Sequence, residues 1–248
     1  MRTLILAGGY AKRLWPLTLD TPKPLLPMGD GTILDFIIAK IAHLRPEEII
    51  ISTNRKFEGK FVEWIALRGL KNARVVPEPS LSEEEKLGPT RAIALIMKDA
   101  VPDDYIIAAG DNLFSLDLVK MAGFLKKVRS PVVALYNVSS KELARKYACV
   151  SIDASSRIIG FEEKPECPKC LLVSTGIYAM PWASISRVEE YLSKGNPPDP
   201  IGKFIGWLAE TEGAYGYPFK GYWYDIGSIE SLKEAQETFR RKSFRARI

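Results

Sequence analysis

The first half of the chain alternates short apolar runs with longer segments of helical periodicity, and this alternation limits its possible folds more than any other feature. The apolar runs end in glycine, proline or polar residues, and apolar positions in the segments between them recur every three or four residues. Such alternation predicts an α/β protein with a parallel sheet and helices on both faces. The predicted strands cover residues 3–7, 48–53, 73–77 and 104–112, and the predicted helices cover residues 33–44, 56–69 and 88–100.

The second half follows a different pattern. Four strand-like segments with short connections, residues 132–137, 147–153, 157–165 and 171–180, predict a mixed, partly antiparallel extension of the sheet. Helices are predicted at about 182–194 and 200–210, and a last strand at 214–220. Ser228 is predicted to cap a final helix whose apolar face carries Ile229, Leu232, Ala235 and Phe239.

Composition and charge exclude several classes of protein. The net charge of +5 and the pI of about 9.0 come without a basic stripe or a groove-reading motif, so we expect a small anionic ligand and no nucleic acid. No apolar run reaches the roughly 20 residues of a membrane span, and the N-terminus lacks the pattern of a signal peptide, so we expect a cytoplasmic protein. Gln236 is the only glutamine, which favours a thermophilic source.

The cysteines and the lone histidine carry no predicted chemistry. Cys167 and Cys170 lack a second ligand pair at zinc spacing, so they are read as loop thiols or as a small local disulfide. His43 lies in the apolar helix and is expected to be partly buried.

The first predicted strand runs directly into a glycine pair and then into two cations. Gly8 and Gly9 allow backbone N–H groups to approach a phosphate, and Lys12 and Arg13 follow at once. Lys23 stands between two prolines that restrict its backbone. These residues predict a polyphosphate cradle, although a simple turn would use the same glycine pair. The segment matches neither a P-loop nor a dinucleotide-binding fingerprint.

The longer stretch LAGGYAKRLWPLTLDTPKPLLPMGDGTIL, residues 6–34, closely resembles the signature of the sugar-1-phosphate nucleotidylyltransferases. Matching motifs follow in the family's order: GDN at 110–112, FEEKP at 161–165, STGIY at 174–178 and GYWYDIG at 221–227. The resemblance implies a Rossmann-like core. It also implies one domain over residues 1–248, with a nucleotide-binding core at 1–130, a sugar-binding half at 131–227 and a C-terminal helix at 228–243.

The resemblance implies roles in binding a nucleoside triphosphate. Arg13 would hold the leaving pyrophosphate, and Lys23 would lie at the α-phosphate. Asp111 and Asp225 would hold Mg²⁺, an ion that prefers hard oxygen ligands and bridges phosphates. Glu78 lies near the position where several thymidylyl and uridylyl enzymes carry glutamine, so the choice of base stays open. The full nucleotide-binding set is Leu6, Ala7, Gly8, Gly9, Arg13, Lys23, Glu78, Gly88 and Asp111.

The resemblance also implies a sugar-phosphate site. Glu163 would bind sugar hydroxyls and Lys164 the sugar phosphate, while Gly176 would allow close approach. The full set is Asn112, Ala148, Glu163, Lys164, Thr175 and Gly176, and Ala148 stands where many members of the family have glycine. The predicted catalytic residues are Arg13, Lys23, Asp111 and Lys164.

We expect transfer of a nucleotidyl group from dTTP or UTP to glucose 1-phosphate, with Mg²⁺ as cofactor and pyrophosphate as the second product. GTP with mannose 1-phosphate, or another sugar phosphate, is the alternative within the same chemistry. A non-catalytic sugar-nucleotide sensor is the alternative from another class, and homo-oligomerisation stays open. Ala11 and Lys12 replace the common Gly-Thr pair, and because alanine resists positive φ, the loop is expected to follow another path.

Overall fold

The computed structural model of the chain describes residues 1–241. The strands in this part, in chain order, are β1 (Arg2–Ala7), β2 (Pro27–Met28), β3 (Gly31–Thr32), β4 (Ile49–Asn54), β5 (Ala73–Glu78), β6 (Tyr105–Ala109), β7 (Asn112–Phe114), β8 (Val132–Asn137), β9 (Ala148–Ile152), β10 (Ile158–Glu163), β11 (Leu172–Met180), β12 (Tyr215–Pro218) and β13 (Trp223–Asp225). The α-helices are α1 (Ile33–Ala42), α2 (Glu58–Arg68), α3 (Pro89–Met97), α4 (Leu118–Val128), α5 (Lys141–Ala144), α6 (Trp182–Ile185), α7 (Val188–Ser193), α8 (Ile201–Thr211) and α9 (Ile229–Arg241).

The chain divides into two compact units, each built from separate segments. The first unit contains residues 1–86, 108–118 and, of its last segment, the described residues from Tyr222 to Arg241. The second unit contains residues 87–107 and 119–221. Strand β6 begins in the second unit and ends in the first.

A parallel arrangement of β1, β4 and β5 organises the first unit. Thr3 pairs with Ile49 and Ala7 with Thr53, while Asn54 pairs with Glu78 on the next strand. All six residues of β4 are buried, as expected for a strand covered on both faces. In parallel sheets, ligands bind beyond the carboxyl ends of the strands, which here are Ala7, Asn54 and Glu78.

A capping box fixes the start of helix α1. The Thr32 hydroxyl accepts a hydrogen bond from Asp35 N, and the Asp35 carboxylate accepts one from Thr32 N. Arg68, in the last turn of α2, donates two hydrogen bonds to the same carboxylate, at 2.7 and 2.9 Å. This buried carboxylate therefore links the start of α1 to the end of α2.

A short antiparallel ribbon joins two distant segments within the first unit. Strand β13 pairs with β7, so that Asp225 faces Asn112 and Trp223 faces Phe114. Ser228 then caps α9, because its hydroxyl accepts from Ser231 N at 3.3 Å. The ribbon brings the late WYDIG motif beside the mid-chain GDN motif.

The second unit contains a mixed sheet, as the short connections predict. Strand β11 runs antiparallel to both β8 and β9, β9 runs antiparallel to β10, and β12 runs parallel to β8. Helix α8 packs against β10 through two glycines: a side-chain carbon added at Gly206 would lie 3.1 Å from the Phe161 ring, and one added at Gly202 would collide with the Glu163 carboxylate.

The structure departs from the sequence-based expectations at several places. The helix predicted at 182–194 is two short helices, α6 and α7. The expectation for His43 is wrong, because it is exposed at the C-terminal cap of α1. All three cysteines are unbridged, which answers the question left open for Cys167 and Cys170. Of the helix predicted at 228–243, the last two positions lie outside the described residues.

Helices α4 and α5 were not predicted. Residues 113–131 were left unassigned, although buried residues at positions 118, 121, 122 and 125 follow the helical period of α4. Within residues 1–241, no helix combines the length and hydrophobicity that crossing a bilayer requires.

Candidate active site

Lys23, Asp111 and the segment around Asp225 come together in the first unit. Lys23 Nζ lies 2.6 Å from Asp111 Oδ2 and donates a second hydrogen bond, 2.9 Å, to the Ile226 carbonyl. Ile226 N in turn donates to the Asp111 carbonyl at 3.0 Å, directly after Asp225 in the ribbon. Segments far apart in sequence therefore meet here: Lys23 and Asp111 form an ion pair, and the backbone that follows Asp225 is hydrogen-bonded to both residues.

Asn112 and Trp223 hold the Asp111 carboxylate from its other side. Asn112 Nδ2 donates to Asp111 Oδ1 at 3.0 Å, and Asn112 Oδ1 accepts from Trp223 Nε1 at 2.5 Å. Asn112, which links the two other residues, is almost fully buried, whereas Asp111 and Trp223 are partly exposed. Trp223 was not predicted as a site residue, although its position in the WYDIG motif, two residues before Asp225, could have indicated it.

The glycine pair lies at the carboxyl end of β1 and contacts two neighbouring strand ends. Asn54 Nδ2, at the end of β4, donates to the Gly8 carbonyl at 3.1 Å. The Glu78 carboxylate, at the end of β5, reaches back to Gly8, where an added side-chain carbon would lie 2.7 Å from Glu78 Oε1. Gly8 is therefore a position of close approach. Sequence analysis missed Asn54, a polar residue at the end of a buried strand.

Leu6 and Ala7, the last two residues of β1, lie beside the Gly110–Asp111 corner. Gly110 N donates to the Leu6 carbonyl at 2.9 Å. An added side-chain carbon at Gly110 would lie 3.3 Å from Ala7 Cβ and 3.0 Å from Pro24, so only glycine fits there without a shift. This tight corner places Asp111 close to the end of β1.

The loop after the glycine pair corrects one expectation. Ala11 takes the left-handed conformation, with φ of 51°, despite its side chain. The Thr18 hydroxyl and Leu14 N both donate to the Ala11 carbonyl at 2.9 Å and so hold this strained residue in place. Lys12 forms an exposed ion pair with Glu84 at 2.8 Å. Arg13 lies exposed on a short 3-10 turn.

Glu163 is the most buried of the predicted sugar-site charges in the second unit. Its carboxylate lies where a side chain at Gly202, in the first turn of α8, would otherwise be. Burial raises the pKa of Glu163, the positive charges of Lys164 and Lys203 oppose this rise, and Asp199 adds to it. Sequence analysis missed Gly202, because nothing in its neighbourhood in sequence indicates Glu163.

The other sugar-site candidates occupy constrained positions in the same unit. Lys164 has a left-handed backbone, with φ of 47°, and its N–H donates to the Tyr147 carbonyl at 3.1 Å. The Thr175 hydroxyl donates to the Ala134 carbonyl at 3.0 Å, and Gly176 has φ of 76°. Ala148 is buried opposite Glu163 in the β9–β10 ladder. Strain at Lys164 is typical of a functional position.

Gly88, the second predicted base contact, belongs to the second unit. It caps the N-terminus of α3 with φ of 81°, and an added side-chain carbon would lie 2.9 Å from the Pro198 carbonyl. Glycine is therefore required there for local packing, independently of any ligand.

The carboxylates of Asp111 and Asp225 are of the chemical type that binds a magnesium ion whose other ligands are phosphate oxygens and water. Residues 1–241 contain no group of three or more His, Cys, Asp or Glu side chains arranged to hold a metal ion. Asp225, on β13, pairs with Asn112, the residue directly after Asp111, and Mg²⁺ typically uses one or two carboxylates together with phosphate oxygens and water. The Asp111 carboxylate is held on both of its oxygens by Lys23 and Asn112 and so is oriented in advance.

Comparison with known proteins agrees with this geometry. The family model described as "Nucleotidyl transferase" matches residues 2–242, so the chain belongs to the nucleotidyl transferase family. The motifs and the structural matches place it within that family among the sugar-1-phosphate nucleotidyltransferases.

Two solved structures illustrate the similarity. One is a proposed glucose-1-phosphate thymidylyltransferase from Bacillus anthracis in complex with sucrose, which is 25% identical, with a TM-score of 0.86 over 97% of this chain and 95% of that chain. The other is a UDP-glucose pyrophosphorylase complexed with UDP-glucose, 22% identical, with a TM-score of 0.80 over 97% of this chain and 98% of that chain. The predicted Rossmann-like α/β fold with a mostly parallel central sheet is confirmed.

Proposed function

We propose that the chain transfers a nucleotidyl group from a nucleoside triphosphate to a sugar 1-phosphate with the help of Mg²⁺. The observation that carries this proposal is the Lys23–Asp111 ion pair beside the glycine-ended strand β1, with Asp225 opposite the neighbouring Asn112 in the ribbon. A phosphate oxygen of the sugar 1-phosphate forms a bond to the α-phosphorus. The bond from this phosphorus to the bridging oxygen breaks, and pyrophosphate leaves with the electron pair.

The residues of the first unit account for the triphosphate side of this reaction. The Lys23 side chain is only 16% exposed, and its positive charge stabilises the negative charge that develops on the α-phosphate. Arg13 binds the leaving pyrophosphate, and its exposed side chain is available for such an anion. Asp111 and Asp225 would hold Mg²⁺, which when bound neutralises phosphate charge.

The residues of the second unit account for the sugar 1-phosphate side. Lys164 binds the phosphate of the incoming sugar, and Glu163 accepts hydrogen bonds from sugar hydroxyls. Thr175, Gly176 and Ala148 belong to the proposed sugar set, which also includes Asn112 of the first unit. In this mechanism the protein positions its substrates and stabilises charge, and it forms no covalent intermediate.

The relatives support glucose 1-phosphate with a thymidine or uridine triphosphate as the first pair to test. One observation favours GTP as the alternative nucleotide, with mannose 1-phosphate or another sugar phosphate as acceptor: the buried residue beside Gly8 is a glutamate. We also propose a cytoplasmic protein, on the basis of the expected substrates.

The test is Mg²⁺-dependent pyrophosphate release with a panel of triphosphates and sugar 1-phosphates. Asp225→Asn removes one proposed metal carboxylate while keeping the shape of the side chain, so we expect it to lower kcat by about 10²-fold or more, with the fold unchanged by circular dichroism. The exposed Asp30→Asn is the matched control and should keep wild-type activity. Full activity of Asp225→Asn would remove Asp225 from the site. Binding of a nucleotide sugar without pyrophosphate release from any pair would favour the non-catalytic sensor.

A further inference from the structure

A short acidic turn, Glu83–Glu85, lies close to the loop that follows β1. Burial raises the pKa of Tyr10, directly after the glycine pair, and a hydrogen bond with Ser80 lowers it. The negative charges of nearby glutamates, Glu85 and Glu83 among them, raise this pKa further, so the turn is near enough for its charges to act on the loop. Three carboxylates in sequence therefore stand beside a loop to which the proposed function assigns an anion.

Glu84 is the member of this turn that extends to the loop after β1. Glu83 forms an ion pair with Lys86 at 2.8 Å, and Glu85 accepts a hydrogen bond at 2.8 Å from a backbone N–H four residues earlier, so both are held within their own segment. Glu84 Oε1 instead lies 2.8 Å from Lys12 Nζ, 72 positions away in sequence. The Lys12–Glu84 pair thus connects the loop after β1 to the loop after β5.

Lys12 has a fixed backbone and a side chain that can exchange its partner. The Ala11 carbonyl, directly before it, accepts hydrogen bonds from Leu14 N and Thr18 Oγ at 2.9 Å. The Lys12 side chain is 46% exposed and that of Glu84 is 73% exposed. Exposed ion pairs contribute little to stability, because water solvates both charges. A phosphate group, which offers a lysine several charged acceptor oxygens, can therefore displace the Glu84 carboxylate.

We propose that Lys12 binds the β- and γ-phosphates of the incoming triphosphate, and that Glu84 holds this lysine until phosphate replaces it. The inference rests on the proposed function for the position of the triphosphate, and it adds one binding residue and one positioning residue to that site. Arg13, the next residue, is proposed to bind the leaving pyrophosphate, so two adjacent cations share its charge. After transfer, Glu84 competes with pyrophosphate for Lys12 and so promotes its release.

The first experiment measures the contribution of Lys12. Pyrophosphate release is measured with the best substrate pair of the wild-type protein, and binding of inorganic pyrophosphate, GTP, dTTP and UTP with Mg²⁺ is measured by calorimetry without sugar. Lys12→Met should raise the KM for the triphosphate and the Kd for pyrophosphate about tenfold, with kcat within about threefold, because the contact exists before and during the reaction. Lys86→Met, with the same change of net charge, should leave these values within about twofold. Unchanged KM and Kd values in Lys12→Met would overturn the inference and leave the proposed function intact.

The second experiment tests whether Glu84 acts through Lys12. Glu84→Gln keeps the shape of the side chain and removes its charge, so the KM for the triphosphate and the Kd for pyrophosphate should fall about threefold. In the Lys12→Met background the same change should have no effect. Glu83→Gln, with the same charge change in the same turn, is the matched control and should act equally in both backgrounds. Equal effects of Glu84→Gln in both backgrounds would show repulsion at a distance and would overturn the inference.

The binding measurements separate this inference from the proposed function. If no substrate pair releases pyrophosphate, but the wild-type protein binds a triphosphate and Lys12→Met weakens that binding, the proposed function fails and the phosphate-binding role of Lys12 stands. If the wild-type protein binds neither a triphosphate nor pyrophosphate, both fail.

Discussion

Replacing Lys23 with methionine removes one positive charge beside Asp111 and keeps most of the length of the side chain. The Lys23 side chain is only 16% exposed, and its ammonium group donates to Asp111 Oδ2 at 2.6 Å and to the Ile226 carbonyl at 2.9 Å, so its position is fixed before substrate binds. Removing a preorganised group of this kind costs about 3 kcal/mol of transition-state stabilisation. Because each 1.36 kcal/mol is tenfold in rate, we expect kcat/KM to fall about 150-fold.

The assay is steady-state pyrophosphate release with the best substrate pair of the wild-type protein. Lys60→Met, on the exposed face of α2, changes the net charge equally and should stay within about twofold of wild type, since surface charges far from a site act weakly. Guanidinium unfolding checks the fold, and a stability loss of about 1–3 kcal/mol is expected from the loss of this largely buried ion pair. A Lys23→Met protein with kcat/KM within about fivefold of wild type would refute the electrostatic role.

Two further predictions concern stability and sugar binding. Asp35→Asn should lower the free energy of unfolding by about 2–3 kcal/mol at pH 7, measured by guanidinium denaturation, because it breaks a cap and a pair with the partly exposed Arg68. Burial would raise the pKa of Asp35, but the hydrogen bonds from Arg68 and Thr32 outweigh burial and lower this pKa. The stabilisation by Asp35 is therefore present above about pH 4 and is lost as the pH falls through the lowered pKa. A constant difference in unfolding free energy between the two proteins down to about pH 2 would contradict this prediction. Gly202→Ala should displace the Glu163 carboxylate and raise the KM for sugar 1-phosphate about tenfold, with the KM for the triphosphate unchanged. Gly123→Ala is the control: a side-chain carbon added there has no atom within 4 Å, so both KM values should stay unchanged. Equal KM values in the Gly202→Ala and wild-type proteins would remove Glu163 from the proposed sugar site.

The regular elements of the first half could be predicted closely from local signals. Apolar runs correspond to β1, β4 and β5, and Gly69 ends α2 in the left-handed conformation that favours glycine. Such signals act between residues a few positions apart, so they are readable without tertiary contacts. Helix α4 shows that a clear period can still be overlooked when it follows a short strand.

The conformation of Ala11 could not be predicted from its type. Alanine disfavours positive φ, yet hydrogen bonds from Thr18 and Leu14 hold its carbonyl and impose the left-handed conformation. The same limit applies to Glu163, whose burial depends on a glycine about forty positions later in α8. Both depend on contacts that are formed only when separate segments pack together.

The sequence by itself determined the class of fold and the chemistry available to the site, because strand and helix periods, glycine pairs and the types of charged residue are local properties of the chain. Only the tertiary structure decided which of those charges meet: Lys23 donates to Asp111, Asp225 stands beside Asn112 in the ribbon, and Glu78 lies against Gly8. These contacts join residues that are about 70 to 110 positions apart in sequence. Their distances are set by strand register and close packing, which depend on the whole fold rather than on any single segment.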